Sequence, residues 1–263
     1  MNGCCRQSDE VQQATTKRRQ NGSLWCTTCR RQHQLPSGTL KIDGTAVFAS
    51  SSVRDFAIHI DADLVMRTHV QNTVSRCFAV LSQLRQIRRS VPQPTFQSLV
   101  VTLVNTRLDY GNGPLIGLPV YLTRRLQSVL NAATRLIFNL RRSEHVSDAL
   151  TSFHWLRVPE RIRSKVAVLV YKVFHGCAPS YLGPFTYVAD LPSRRRLRSS
   201  CSDCLVQPSV HRSTVGSRAF SVVGPRVWNC LPPEVTSSPS LTPFRTRLKT
   251  FLFTESYPDI RLI

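Results

Sequence analysis

The sequence predicts a mainly α protein, in which a helical domain is preceded by a small β-hairpin element and followed by an irregular α+β C-terminal region. Three observations carry this reading. Two long segments, from about Pro119 to Arg142 and from Pro159 to His175, repeat apolar residues at three and four positions, the spacing of one helix face. A shorter stretch between Leu40 and Asp63 alternates instead, as strands do. A run rich in Pro, Ser and Arg from Ala178 to Val210 then separates the helices from shorter elements. The resulting organisation is 1–24 disordered, 25–65 a β element, 66–177 a helical domain, and 178–263 a basic linker with a C-terminal extension.

Along the chain, the first twenty or so residues are polar and aperiodic and end in Lys17-Arg18-Arg19. Asp43-Gly44, set between Ile42 and a short apolar stretch, marks a hairpin turn. Phe56, Ile58 and Ile60 alternate as a further strand. From Met66 to Ser90 the period becomes helical, with Val70, Val74, Cys77, Phe78, Leu81 and Leu84 on one face. Pro92 and Pro94 break that helix, and Pro94 opens the next, whose buried stripe is Phe96, Leu99, Val100, Leu103 and Val104 before Gly111 and Gly113.

In the segment from Pro119 to Arg142, Leu122, Leu126, Val129, Ala133, Leu136, Ile137 and Leu140 cluster on one side, while Arg124, Arg135 and Arg142 align on the other. The pattern recurs from Pro159, where Ile162, Val166, Leu169, Val170 and Val173 face inward and Arg161, Lys165 and Lys172 share the opposite side. Beyond the linker, which contains Arg194, Arg195, Arg196 and Arg198, come a strand around Leu205-Val206, an aromatic-bearing segment from Ala219 to Trp228, and a final helix bearing Leu241, Phe244, Leu248, Phe251 and Leu252. Tyr110, Trp155 and Trp228 read as core anchors, because large aromatics beside Leu, Val and Pro usually pack.

Charge narrows the function. Lys and Arg number 35 against 15 Asp and Glu, a formal net charge of +20, and 41% of residues are hydrophobic, enough for a core. Lysine occurs only at positions 17, 41, 165, 172 and 249, so arginine supplies the other 30 cations. Its planar fork matches phosphate oxygens and stacks on bases, which favours nucleic acid as the partner. No stretch reaches the ~18–20 apolar residues that cross a bilayer, and the N-terminus lacks an apolar signal core. Nine cysteines without a signal peptide read as reduced thiols of cytosol or nucleus in a protein that is not secreted.

Catalytic groupings are sparse. Asp61 and Asp63 share a strand face, as metal-binding carboxylates could, but they read better as a strand end or helix cap. Cys26, Cys29 and His33 have the spacing of half a zinc site, for which Cys201 and Cys204 could supply the rest, though most of the chain separates them. The histidines are scattered, His154 beside Trp155 suggests packing, and no phosphate-binding loop, dinucleotide fingerprint or nucleophile elbow occurs. The candidate site is therefore a phosphate-binding surface made of Arg124, Arg135, Arg142, Arg161, Lys165, Lys172, Arg194, Arg195, Arg196 and Arg198, with no cofactor of its own.

A series of short signatures adds to this reading: Arg107-Leu-Asp-Tyr-Gly-Asn112, Leu130-Asn-Ala-Ala-Thr-Arg135, His154-Trp-Leu-Arg157, Tyr171-Lys-Val-Phe-His-Gly176, Ala178-Pro-Ser-Tyr-Leu182, Gly224-Pro-Arg-Val-Trp-Asn-Cys-Leu-Pro232 and Phe244-Arg-Thr-Arg-Leu-Lys249. In this order and spacing, with Leu24-Trp-Cys-Thr-Thr28 and Val53-Arg-Asp-Phe-Ala57 ahead of them, the chain resembles the region after the palm in reverse transcriptases of LINE-type, jockey-like non-LTR retrotransposons. The family commonly carries Leu-Gly where this chain has Phe56-Ala57. The resemblance implies that Leu40–Asp63 corresponds to the primer-grip neighbourhood and that the helices from Met66 correspond to a thumb, which holds RNA or an RNA–DNA duplex by nonspecific backbone contacts. It further implies a truncated polymerase fragment whose catalytic aspartates and palm partner are absent, for which magnesium is expected only in the full-length polymerase. The location it implies is nuclear or cytoplasmic. The alternative is an orphaned mobile-element remnant with no selected activity.

Overall fold

The computed structural model describes residues 23–27, 33–35, 40–42, 45–191, 204–210 and 216–259. They fall into two compact units, 1–72 and 73–263. The fold is mainly helical, with a small β element before the helices, as the periodicities predict. Among the described residues no helix is long and apolar enough to cross a membrane.

The first unit holds two antiparallel hairpins. Strands β1 (Leu40–Ile42) and β2 (Thr45–Val47) pair with Lys41 opposite Ala46, and β3 (Ser52–Asp55) and β4 (Ile58–Asp61) pair with Val53 opposite Ile60. The single strand expected around Phe56 is thus itself a hairpin. Its two turn residues, Phe56 and Ala57, lie at φ 41° and 64°, the left-handed pair that a two-residue turn needs in order to follow the strand twist. Alternation in sequence cannot reveal this turn, because neither residue is one of the usual Gly or Asn turn formers.

Asp61 is buried at the end of β4, and its Oδ2 accepts the Thr68 backbone N–H at 3.0 Å, while Asp63 Oδ1 accepts that of Val65 at 3.0 Å. Asp61 therefore satisfies a backbone donor in the first turn of helix α1 (Arg67–Ile87), as a capping residue does, while Asp63 closes a turn just ahead of it.

In the second unit α1 buries Val74, Cys77, Leu81 and Leu84, whereas Phe78, expected on that face, is 41% exposed. Burial pushes the Cys77 thiol up to about 11, against a smaller opposing pull from Arg107. Helix α2 (Gln93–Val100) has Pro94 in its first turn, widens into π turns over Val101–Asn105, and ends as α3 (Thr106–Asp109). Phe96, Val100 and Val104 are fully buried there, whereas Leu103, expected on the same stripe, is 37% exposed.

Helix α4 (Val120–Phe138) buries Leu122, Leu126, Val129, Leu130, Ala133 and Ile137 along one stripe. It stops four residues before the predicted end, because Asn139 takes the left-handed conformation at φ 57° and closes the helix with its N–H on the Arg135 carbonyl. The last carbonyls of α4 are capped from the side: Arg88 donates to Leu136 O and Ile137 O at 2.7 and 2.9 Å, and Gln93 Nε2 donates to Ile137 O at 2.7 Å.

After the short α5 (Ser147–Ser152), helix α6 (Val158–Phe174) forms the centre of the unit. Gln127 of α4 caps its first turn, accepting the Val158 N–H at 2.9 Å. Around α6 pack α7 (Phe220–Asn229) and, after the one-turn α8 (Pro233–Thr236), the final helix α9 (Leu241–Ser256). The aromatic segment predicted from Ala219 is thus a helix, with Pro225 inside it. Gly224 is a point of close approach: a Cβ there would stand 2.9 Å from Phe185 Cζ and 3.1 Å from Val170 Cγ2. Tyr171 stacks on Phe244 at 4.3 Å between centroids, Phe244 meets Trp228 at 5.9 Å, and the Tyr171 hydroxyl donates to Ser238 O at 3.1 Å.

The strand expected around Leu205 is a single antiparallel bridge to Tyr187. Its other edge is held by Asn229, whose amide accepts from Leu205 N at 2.8 Å and donates to Leu205 O at 3.0 Å. Trp228 is buried, while Tyr110 is 52% exposed and does not anchor the core.

Two outcomes check this packing. Gly224→Ala lowers unfolding stability by about 1–3 kcal/mol in denaturant titration, since the methyl meets a ring and a branched side chain rather than solvent. In iodoacetamide labelling at mildly alkaline pH, the exposed thiols of Cys26, Cys177 and Cys230 react while Cys77 stays protonated and inert until the chain unfolds. Because the Cys77 thiol sits above its ordinary 9.0, the native state retains a proton that the unfolded chain loses, so stability falls as pH rises from about 9 towards 11.

Candidate nucleic-acid interface

The expected cationic faces separate into groups with different environments. Arg161 does not face solvent freely: its guanidinium forms a two-point pair with Asp109, Nε to Oδ1 at 2.9 Å and Nη2 to Oδ2 at 2.5 Å, with both side chains at least two-thirds covered. Asn112 adds a hydrogen bond to the same Oδ1 at 3.3 Å. The pair therefore ties α3 to α6 rather than offering a charge to a ligand. Lys165 is exposed on the same side of α6 and Lys172 is half-buried one and a half to two turns further on. The cluster Arg194, Arg195, Arg196 and Arg198 lies outside the described residues.

Arg135 and Arg142 do come together, though not as one helical stripe. Arg142 lies past the end of α4, carried there by the left-handed Asn139 and by a turn in which Glu144 Oε2 accepts the Arg141 N–H at 2.5 Å. Both arginines line a groove of about 470 Å³ between α1 and α4, and Arg85 of α1 joins them. Phe78, Leu81, Ala132, Leu136 and Leu140 supply its apolar walls, and none of its lining residues is acidic. Arg124, exposed three turns before Arg135 on α4, is outside the groove.

Arg135 is the unusual member. It is half-buried, and its Nε–H is enclosed yet has no acceptor, while Nη2 makes only a long contact of 3.4 Å to Glu144 O. An enclosed guanidinium N–H without an acceptor is costly, on the order of 1–3 kcal/mol. Among the described residues, Arg85, Arg135 and Arg142 enter neither of the two ion pairs. Other arginines are committed to the fold: Arg88 caps α4, Arg218 donates to Ile116 O and Pro114 O, and Arg157 lies 4.9 Å from the Tyr257 ring centre. Burial pushes the Tyr257 phenol upward, with Arg157 pulling the other way.

Arg85 is the functional candidate that reading the sequence missed. The signal was present, since Phe78, Ser82 and Arg85 follow one another at four and three residues along a face of α1 that flanks its buried stripe. As for metal, no three His, Cys, Asp or Glu side chains converge among the described residues, and Cys29 and Cys201 lie outside them.

Comparison with protein-family models, with curated proteins and with solved structures finds no match to this chain.

The two arginine roles separate experimentally. Arg161→Lys keeps the charge but loses the planar fork on Asp109, so it lowers stability by about 1–2 kcal/mol in thermal unfolding while leaving nucleic-acid affinity unchanged. Weakened binding at unchanged stability would place Arg161 in the interface instead.

Proposed function

We propose that this chain is a truncated fragment of a LINE-type reverse transcriptase, comprising a thumb-like helical domain and C-terminal region, that binds RNA or RNA–DNA duplex by nonspecific backbone contacts. The observation that carries the binding reading is the α1/α4 groove, where Arg85, Arg135 and Arg142 converge without a carboxylate and Arg135 keeps an unpartnered, enclosed N–H. A phosphate backbone supplies what this geometry lacks: negative charge and oxygen acceptors. The surplus of +20 adds long-range attraction for any polyanion. The family origin rests on the ordered motif series, from Arg107-Leu-Asp-Tyr-Gly-Asn112 to Phe244-Arg-Thr-Arg-Leu-Lys249. Turnover is no part of the proposal, since Asp61 and Asp63, the nearest approach to a carboxylate pair in the sequence, are engaged with backbone donors.

Binding to a short RNA–DNA hybrid across a salt series tests the groove. The wild type loses affinity steeply with salt, and the Arg85/Arg135/Arg142→Ala variant binds more weakly with a log–log slope shallower by roughly two to three, one counterion per lost phosphate contact. Equal affinity and slope for the two proteins, at equal helicity, would leave the orphaned remnant as the reading.

A further inference from the structure

A second groove, of about 470 Å³, lies along α9 and is lined by His154, Arg245, Thr246, Lys249, Thr250 and Phe253. It shares no residue with the α1/α4 groove. The spacing along α9 lays out two parallel stripes. Arg245 and Lys249 stand one turn apart, and beside them run Thr246, Thr250 and Phe253. The threonine hydroxyls donate to the Thr242 and Thr246 carbonyls of their own helix at 3.2 and 3.1 Å, which leaves their oxygens facing outward as acceptors.

At one end of these stripes the chain before α6 turns at His154, whose φ of 52° is left-handed. That turn sets the exposed imidazole against Phe253, at 5.7 Å between ring centroids and 31° between planes. Phe253 is 5% exposed and so backs the imidazole rather than meeting a ligand itself. The groove thus offers a supported aromatic plate beside two cations, and no acidic residue lines it. Glu255, the one acid in α9, is held by Arg163 at 2.6 Å.

We infer that the His154/Arg245/Lys249 groove is a binding site for a single-stranded nucleic-acid segment, with one base stacked on His154 and its flanking phosphates on Lys249 and Arg245. The base meets an exposed imidazole face, and the helix rise of ~1.5 Å per residue spaces Phe253, Lys249 and Arg245 about 6 Å apart along the axis of α9, close to successive nucleotide steps. A duplex keeps its bases stacked within itself and could not use the imidazole, so this site selects unpaired strand. The inference shares with the proposed function only its ligand class and stands on different residues.

The test measures binding of the full chain to a short fluorescent oligouridylate and, separately, to the RNA–DNA hybrid. His154→Asn removes the ring while tolerating the left-handed backbone, His154→Tyr keeps a ring, and Arg245→Ala/Lys249→Ala removes the cations. The expected result is that the first and third variants weaken oligouridylate binding by roughly 5- to 100-fold, that the tyrosine variant retains it, and that hybrid binding changes less than about twofold in all three. Uridine monophosphate, but not inorganic phosphate, then competes for the site. Unchanged oligouridylate affinity in the asparagine variant, or equal competition by inorganic phosphate, would overturn the stacking site. Hybrid binding lost only in the Arg85/Arg135/Arg142→Ala variant reports on the other groove, so the two readings fail separately.

Discussion

The approach of α7 to α6 at Gly224 is the constraint on which the second unit depends. With Phe185 Cζ and Val170 Cγ2 already at 2.9 and 3.1 Å from where a side chain would begin, a methyl there fits only if one of those side chains shifts. That closeness brings Trp228, one turn further along α7, into contact with Phe244 of α9 and Phe174 of α6. It also presents Asn229 to the backbone of Leu205, where its amide occupies the same two groups that a neighbouring strand would. The stretch from Gly224 to Asn229 therefore acts as a single fitting, in which a missing side chain, a large ring and an amide each complete a different contact.

The same is true of the other signatures that give the sequence its resemblance. In the first of them, Asp109 receives Arg161 and Asn112. In another, Tyr171 stacks on Phe244 and on His175 while its hydroxyl holds Ser238 O. Such positions are demanding because they are half apolar and half polar, and a substitution must satisfy both a cavity and a hydrogen bond. The motifs thus specify how the helices are joined. Of the residues that could meet a ligand, Arg85 and Arg142 sit beside these motifs, whereas Arg135, His154, Arg245 and Lys249 belong to them.

Much of the fold was legible in the sequence because α1, α4 and α6 each bury a continuous stripe at helical period. What stayed hidden has local causes. Periodicity carried α4 on to Arg142 because Leu140 keeps the apolar phase, yet Asn139, a residue that tolerates left-handed backbone, closes the helix after Phe138. Phe78 and Leu103 fall on apolar stripes and are nonetheless exposed, since the sequence does not show how far a neighbouring element extends over each one. Arg161 matched the basic phase of α6, but its partner Asp109 is 52 residues away and belongs to a different helix. Arg85 and Arg135 are also 50 positions apart, so their convergence is a product of packing, and spacing along one helix could only suggest half of it.

The separation between paired and unpaired arginines is what makes the α1/α4 groove more than a basic surface. A guanidinium exposed to water gains little from a neighbouring charge, and a fully paired one has nothing further to offer. Arg135 is neither: its Nε–H is enclosed without an acceptor, its Nη2 reaches only Glu144 O at 3.4 Å, and the residue lines a groove with apolar walls. A low-dielectric wall strengthens whatever charge interaction forms beside it. Under the proposed reading, an anion in this groove would meet three guanidiniums beside apolar walls, in addition to the general attraction of an arginine-rich chain.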